Sequence, residues 1–381
     1  MKFLIYALLA IGLWGIITPL LLYPIALFSL SRFRPRRPTG AATPSATLVI
    51  SAYNESTVIG EKIANALSQD YPAHLLDIIV ISDASDDRTD DVVKRLCSDR
   101  VRLFRQETRL GKSAGLTRFC QEARGEILIF TDANSIFQVD ATANLLRDFD
   151  DDKVGYTVGR QLYHDYDEHS SATSEKFYWS LELMLKQWES RVSSVVGADG
   201  AIFAIRKSLF EPMLAEDIND FLLPLKAVVK GYKGVFESEA VCYERAAPDF
   251  ESEFRRKFRI VNRSLLAVAK VPQALNPFRV GVFALQVLCH KVLRWLSPVF
   301  LGLTFLSASV LIFIDPTPFI FLLHLTMVAG CCLAMLHFLP FFRRWPIVSL
   351  SYYYLMVNVA ALVGITMLLM GRSISIWQPQ R

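Results

Sequence analysis

The chain has 381 residues, 52% of them hydrophobic and 20% charged, and its mean hydropathy is +0.31. A soluble protein of this length rarely averages positive, so the composition calls for several membrane spans beside one ordinary globular domain. A net charge of +4 and a pI of about 8.7 are too mild for a nucleic-acid binder, and no Lys/Arg tract with interleaved aromatics occurs. The six cysteines (Cys97, Cys120, Cys242, Cys289, Cys331, Cys332) have no CxxC spacing, which argues against a disulfide framework and a zinc site. The six histidines form no HExxH and read as surface or packing residues.

The first apolar run, Phe3–Leu30, is too long for a signal-peptide core and is followed by Arg32, Arg34, Arg36 and Arg37. The positive-inside rule places that cluster in the cytoplasm and the N-terminus outside. Arg34–Pro44 (RPRRPTGAATP) is a linker by composition. Three further apolar stretches, Leu296–Ile314, Phe319–Phe341 and Ile347–Met370, are long enough to span a bilayer core, which needs roughly 20 helical residues. The link Asp315–Pro318 is not basic and belongs outside; the link with Arg343 and Arg344 is basic and belongs inside. Four spans with these signs leave the centre of the chain in the cytoplasm. Pro277–Trp295 carries His290, Lys291 and Arg294 on an apolar helical pattern and reads as an amphipathic helix in the interface.

Within the central segment, Thr47–Ser51 (TLVIS), Asp77–Ser82 (DIIVIS) and Glu126–Thr131 (EILIFT) read as buried parallel strands. Glu55–Gln69 and Asp87–Cys97 carry helical periodicity between them, and strands alternating with helices predict a βαβ sheet. Ligands of such sheets bind beyond the carboxyl ends of the strands. There stand Tyr53-Asn54-Glu55, Asp83-Ala84-Ser85-Asp86-Asp87 and Asp132-Ala133-Asn134. Three strand ends bearing acids and amides predict a polar site for a charged ligand and a metal.

Asp132 and Asn134, at i and i+2, can both face a diphosphate and a hard cation, Mg²⁺ or Mn²⁺; the competing reading is an Asx turn or helix cap. Asp83 suits hydrogen bonds from a base or ribose, or a cap for the helix starting near Asp87. RLGKSAGL, with Arg109, Gly111 and Lys112, is a basic flexible turn without Walker A spacing; Lys112 suits a phosphate or Asp132. Ser174–Arg191, with Phe177, Tyr178, Trp179, Leu181, Leu183, Leu185 and Trp188, reads equally as a membrane-touching helix or as one packed on the domain. Gly197-Ala198-Asp199-Gly200 reads as a loop before the strand Ala201–Ile205, and an acid opens the helix Asp220–Lys230, as the helix dipole favours.

The ordered set SAYNE, DASDD, GKSAGL, TDAN, GADGAIFAIR and NDF, followed by RRKFR, HKVLRW and flanking apolar helices, resembles the membrane-bound family 2 glycosyltransferases, the group of hyaluronan synthases and cellulose synthase catalytic subunits. The resemblance runs from about residue 47 to 262. It implies an α/β GT-A (Rossmann-like) cytoplasmic domain plus an α-helical transmembrane region, and an inverting hexosyl transfer from a nucleotide diphosphate sugar, UDP-linked, to a membrane-associated acceptor in polysaccharide or glycolipid synthesis. By it, Ala52, Tyr53 and Glu55 line the uridine pocket and Asp83 holds base and ribose. Asp132 contacts the nucleotide, Lys112 and Arg259 face its diphosphate, and Asp132 with Asn134 holds the metal. Asp220 is the general base, with Asp217 as the alternative, and Gly197, Asp199 and Arg256 lie beside the acceptor.

Two positions depart from the family pattern. The metal pair is usually DxD and its second member here is the neutral amide Asn134. Processive members carry QxxRW, whereas Arg256–Ile260 keeps the cation at Arg259 and replaces the indole by Ile260, which argues against processive synthesis. The expected layout is an N-terminal transmembrane helix (1–31), a basic linker (32–45), the glycosyltransferase domain (46–275), an amphipathic interface helix (276–295), three transmembrane helices (296–371) and a tail (372–381). The expected setting is the inner (plasma) membrane, with a nucleotide-sugar donor, a glycan or lipid acceptor, the bilayer and an export or assembly partner, and no nucleic acid. Two other readings stand beside it: a ceramide- or polyprenyl-phosphate-type lipid transferase, and an inactive membrane assembly subunit.

Overall fold

The computed structural model describes residues 1–35, 40–164, 170–245, 250–343 and 345–373. Arg36, Arg37, Arg344 and most of the expected tail lie outside the described residues, as do the side chains of Phe177, Tyr178 and Trp179. In chain order, α1 (Lys2–Ile17), a π turn (Thr18–Leu22) and α2 (Tyr23–Arg32) form one apolar rod. The globular part follows as β1 (Ala46–Ala52), α3 (Ile59–Leu67), β2 (Leu76–Ser82), α4 (Thr89–Leu96), β3 (Val101–Arg105), α5 (Lys112–Phe119), β4 (Ile127–Asp132), β5 (Ile136–Phe137), α6 (Ala141–Leu146) and β6 (Val154–His164). It continues with α7 (Ser170–Val192), β7 (Phe203–Arg206), α8 (Asn219–Val229), β8 (Lys233–Arg245) and α9 (Phe250–Lys270). The chain then runs through α10 (Pro277–Val280), α11 (Val282–Gln286), a second π turn (Val287–Val292) and α12 (Leu293–Trp295) to the apolar helices α13 (Ser297–Ile314), α14 (Pro318–Met335) and α15 (Pro346–Leu369). Four helical segments, Lys2–Arg32, Ser297–Ile314, Pro318–Phe338 and Pro346–Leu369, are long and apolar enough to cross a membrane.

The strands form one eight-stranded sheet in the order β3-β2-β1-β4-β7-β6-β8-β5. β1, β2, β3 and β4 are mutually parallel, β7 is antiparallel to β4 and β6, and β8 runs parallel to β6. A parallel half covered on both faces needs strands apolar on both sides, and Leu48, Val49 and Ile50 are all fully buried. Alternation sends Val49 with Ile79 and Leu128 to one core, and Leu48 and Ile50 with Ile78 and Val80 to the other. Burying each such side chain is worth about 1.5–3 kcal/mol.

The three parallel strands expected from the sequence form within one residue of their predicted ends, whereas α3 starts only at Ile59 because Glu55–Val58 turn over the site. The strand read at Ala201–Ile205 is shifted to Phe203–Arg206, since Ile202 N–H bonds back to Asp199 in the preceding loop. β3, β5, β6 and β8, most of the outer half of the sheet, were not anticipated. The helix read over Pro277–Trp295 is broken at Gly281, whose φ of +59° interrupts helical geometry, and again by the π turn. Its polar residues turn inward, with His290 fully buried, while Phe278 and Leu285 face out. α7 packs Leu181, Leu185 and Trp188 against Tyr23 and Leu27 of α2, so its described apolar stripe meets an apolar helix of the chain itself. α9 and α15 approach so closely that a Cβ on Gly364 would stand 2.6 Å from the Phe258 carbonyl oxygen, which couples the globular domain to the last apolar helix.

Candidate active site

The carboxyl ends of β1, β2 and β4 lie side by side, because Ala52 pairs with Ser82 and Ser51 with Asp132 in the parallel register. Beyond them opens a cavity of ≈ 1410 Å³ that continues past α7, α8 and α9 to α1 and α15. Glu55, Lys112, Asp132, Asn134, Gly197, Asp199, Asp220, Arg256 and Arg259, all singled out in the sequence, line it. Ala52, Tyr53 and Asp83 do not; they line an adjoining crevice of about 20 Å³ that shares Lys112 and Asp132 with the cavity.

Asp83 closes β2 and is committed to the next loop. Its Oδ1 accepts from Gln106 Nε2 (2.6 Å), Leu110 N–H (2.9 Å) and Gly111 N–H (3.0 Å), and its Oδ2 also accepts from Gly111 N–H (3.0 Å). Gly111 sits at φ +91°, a conformation that side chains with a Cβ rarely adopt, and so turns the chain into α5. This turn presents Lys112, whose Nζ lies 2.5 Å from Asp132 Oδ1. Ala84, just after Asp83, is itself held at φ +56° and Asn54 at φ +55°. Non-glycine residues in that region cluster at functional sites because the surrounding structure must hold them there. The Arg109 guanidinium covers the Tyr53 ring, 3.7 Å from its centroid, over the crevice.

Gly200 marks the convergence of the charged groups. A Cβ there would stand 3.1 Å from Asp220 Oδ2, 3.4 Å from Lys112 Nζ and 3.8 Å from Asp132 Oδ2. Asp220 occupies the first turn of α8. Burial pushes its carboxyl above the ordinary range; Lys112 opposes this, and the nearby carboxylates of Asp199 and Asp132 reinforce it. Asp217 is otherwise engaged: its Oδ1 lies 2.6 Å from Lys270 Nζ and its Oδ2 accepts from Leu214 N–H (2.8 Å), so it staples the loop before α8. Arg263 holds the same loop through the carbonyls of Ala215 (2.9 Å), Glu216 (2.8 Å) and Asp217.

On α9, Arg256 and Lys257 pair with Glu253 (2.7 and 3.1 Å), and Arg256 also donates to Tyr163 Oη (3.0 Å). Arg259, one turn on, forms no ion pair with a described residue and faces the cavity. Burial and Arg263 push its guanidinium down to about 10, with Asp132 and Asp220 pulling the other way. Asp132 and Asn134 both open to the cavity with oxygen donors, which suit a hard divalent cation. No cluster of three His, Cys, Asp or Glu side chains gathers around them among the described residues, so such a cation would complete its shell from a phosphorylated ligand and water.

Sequence reasoning missed two sets of residues. Lys62 of α3 is fully buried beneath this corner; it donates to the Ser135 carbonyl, lies 4.0 Å from the Phe137 ring centroid, and is pushed down to about 7 by burial. Glu182, Lys186 and Glu189 form a buried polar stripe on α7 against His290. The i, i+4, i+7 spacing of Glu182, Lys186 and Glu189 within an apolar helix was the available signal. Lys62 left none, since a single lysine in a short amphipathic helix looks solvent-facing.

A sheet of parallel β1–β4 extended by antiparallel β7, with acids and amides at the strand ends, defines a GT-A fold, the class that grips nucleotide-linked sugars at that edge. Residues 47–214 match the family model described as glycosyl transferase family 2. That stretch of the chain thus carries a glycosyl transferase family 2 domain. It is 25% identical over 245 residues to the protein named "Probable glycosyltransferase YdaM" of Bacillus subtilis (strain 168), covering 60% of this chain and 57% of that protein. It is 22% identical to the poly-beta-1,6-N-acetyl-D-glucosamine synthase of Staphylococcus epidermidis over 52% of this chain and 49% of that one. The matched stretch thus spans about half the length of these curated relatives. Among solved structures, the mannosyltransferase PcManGT of Pyrobaculum calidifontis, in complex with GDP-Man and Mn²⁺, shares the fold at a TM-score of 0.70 and 23% identity, covering 95% of this chain and 98% of that one.

Proposed function

We propose that the protein transfers a sugar, with inversion, from a nucleotide diphosphate donor to a membrane-associated acceptor at the cytoplasmic face of the membrane. The observation that supports this most is the meeting of Asp132, Lys112 and Asp220 around Gly200, with Arg259 in the wall of the same cavity. The donor's nucleoside would lie toward the Tyr53–Asp83 crevice and its diphosphate between Lys112 and Arg259, whose charges oppose the negative charge that develops as the leaving group departs. Asp132 and Asn134 would hold a divalent cation, Mg²⁺ or Mn²⁺, which when bound supplies further charge stabilisation to the diphosphate. Asp220 would take the proton of the acceptor hydroxyl, and its raised proton affinity makes it a stronger base than an exposed aspartate. The mannosyltransferase PcManGT holds GDP-Man, whereas UDP is the nucleotide drawn from the family resemblance.

By the charge of the loops, the N-terminus lies outside the inner membrane and residues 46–275 are the cytoplasmic catalytic domain, joined by 32–45 to the first span and by 276–295 to the last three. Purified protein tests the activity. Asp132→Ala is expected to abolish donor binding measured by calorimetry. Asp220→Asn is expected to keep binding and to lower metal-dependent nucleotide release by at least about 10²-fold, as loss of a general base does. Equal loss of binding in both variants rejects this division of roles. Donor binding with no turnover of any sugar nucleotide supports the inactive-subunit reading instead.

A further inference from the structure

The cavity differs electrostatically at its two ends. Toward the strand ends Arg259 faces the open space without an ion-pair partner among the described residues, as a site for a diphosphate requires. Toward the apolar helices every cation has been matched. Lys186 Nζ lies 2.5 Å from Asp199 Oδ2, Lys291 Nζ 2.5 Å from Glu182 Oε1, and Arg294 Nη1 3.0 Å from Glu182 Oε2. His290 is clamped between Glu189 Oε1 (2.7 Å) and Glu182 Oε2 (3.0 Å), and Tyr23 Oη donates to Glu189 (2.5 Å). Lys186, Lys291 and Arg294 thus meet Asp199 and Glu182, and Glu189 is held by His290 and Tyr23, so that three lysine and arginine charges stand among three carboxylates. Glu182, Lys186, Glu189 and His290 are 5%, 2%, 0% and 0% exposed, so water does little to screen them.

A lipid phosphate entering this end would have to draw Lys291 or Arg294 away from Glu182. That would strip a buried carboxylate of one of its cations, which is unfavourable. On the α9 wall of the cavity Arg256 and Lys257 are likewise paired, with Glu253. Ile16, Pro19, Leu20, Leu350, Val357 and Ala361 line the cavity where it reaches the apolar helices. Uncharged groups line it as well: Ser297 Oγ donates to Asn358 Oδ1 (2.6 Å), and Trp295 lies edge-on to Phe221, 5.4 Å between centroids. The position of Asp220 points the same way. A phosphate oxygen is already ionised at neutral pH, whereas a hydroxyl needs a base.

We propose that the acceptor is an uncharged amphiphile presenting a free hydroxyl, a neutral lipid or neutral glycolipid, and that the balanced cluster of Glu182, Lys186, Glu189, Asp199, His290, Lys291 and Arg294 excludes lipid phosphates from the same cavity. This rests on the glycosyltransferase reading above. The hydroxyl oxygen forms the new bond to the anomeric carbon, its proton passes to Asp220, and the bond from that carbon to the phosphate oxygen breaks with its electron pair leaving on the nucleoside diphosphate.

The test uses the full chain in nanodiscs with a panel of UDP- and GDP-sugars. The acceptors are dioleoylglycerol, dodecyl β-glucoside and undecaprenyl phosphate, and products are read by mass spectrometry. Glycosylated dioleoylglycerol or dodecyl glucoside with no glycosylated undecaprenyl phosphate is the expected result. Product on undecaprenyl phosphate, or donor turnover yielding only free sugar or a lipid-free polymer, overturns the proposal and leaves the donor reading standing. Failure to bind every sugar nucleotide overturns that reading and the proposal with it. Dodecyl phosphate is expected not to inhibit the wild-type transfer, and Glu182→Gln, which releases Lys291 and Arg294, is expected to lower its inhibitory concentration about tenfold, the size of one lost charge interaction of about 1.4 kcal/mol. Inhibition of the wild type at the level of the variant overturns the role assigned to the cluster.

Discussion

Asp220 shows how far a residue's chemistry depends on its surroundings. An aspartate in the first turn of a helix is ordinarily stabilised as an anion by the helix dipole, yet burial and the carboxylates of Asp199 and Asp132 here shift it the opposite way. Its folded-state proton affinity is raised, so as the proposed base it would be protonated and idle to a higher pH than an exposed aspartate. The acid limb of the kcat–pH profile is therefore expected above the ordinary aspartate range. Asp199→Asn, which removes one repelling carboxylate, is expected to move that limb to lower pH; a limb that stays put would show that another group governs it. Asp132, Asn134 and Asp220 were all legible as candidates, since polar residues after apolar strands stand out. Lys62 and Glu182 were not, because only packing reveals that a charged side chain points inward. His290 reverses the sequence expectation of an ordinary surface or packing histidine, being held between two carboxylates in the wall of the cavity.

At the scale of elements, the turn from Asp83 through Gly111 into α5 sets the position of Lys112. Two backbone N–H groups, from Leu110 and Gly111, converge on one carboxylate, and Gly111 supplies the positive φ that makes this geometry available. Gly111→Ala is expected to cost about 1–3 kcal/mol of stability through backbone strain. It is also expected to raise the apparent Km for donor more than it lowers kcat, because Lys112 loses its fixed place beside Asp132. Thermal unfolding and donor saturation curves check both, and an unchanged Km would mean that the loop re-forms without its glycine. The parallel strands β1, β2 and β4 were readable as short apolar runs ending in polar clusters. β6 and β8 escaped notice because each mixes charged and apolar residues without clean alternation, and their pairing joins segments about 80 residues apart.

At the scale of the molecule, the cavity runs from the strand ends to α1 and α15, so the globular domain and the apolar helices line one cavity between them. The proposed topology places the globular domain in the cytoplasm. Cys97 is exposed on that domain. A membrane-impermeant maleimide is expected to label it in inside-out vesicles and not in right-side-out ones; the reverse pattern would invert the assignment of sides.

Local sequence was enough for the apolar spans, the basic loops between them, the parallel strands and the polar residues at their ends, because hydrophobic periodicity and strand-end chemistry are properties of neighbouring residues. Only the folded chain decided that Asp83 anchors a loop, that Asp217 is a staple, and that the polar face of 276–295 turns inward to meet α7. Those outcomes depend on which distant charge or donor lies within hydrogen-bond reach, and that distance is settled by tertiary packing.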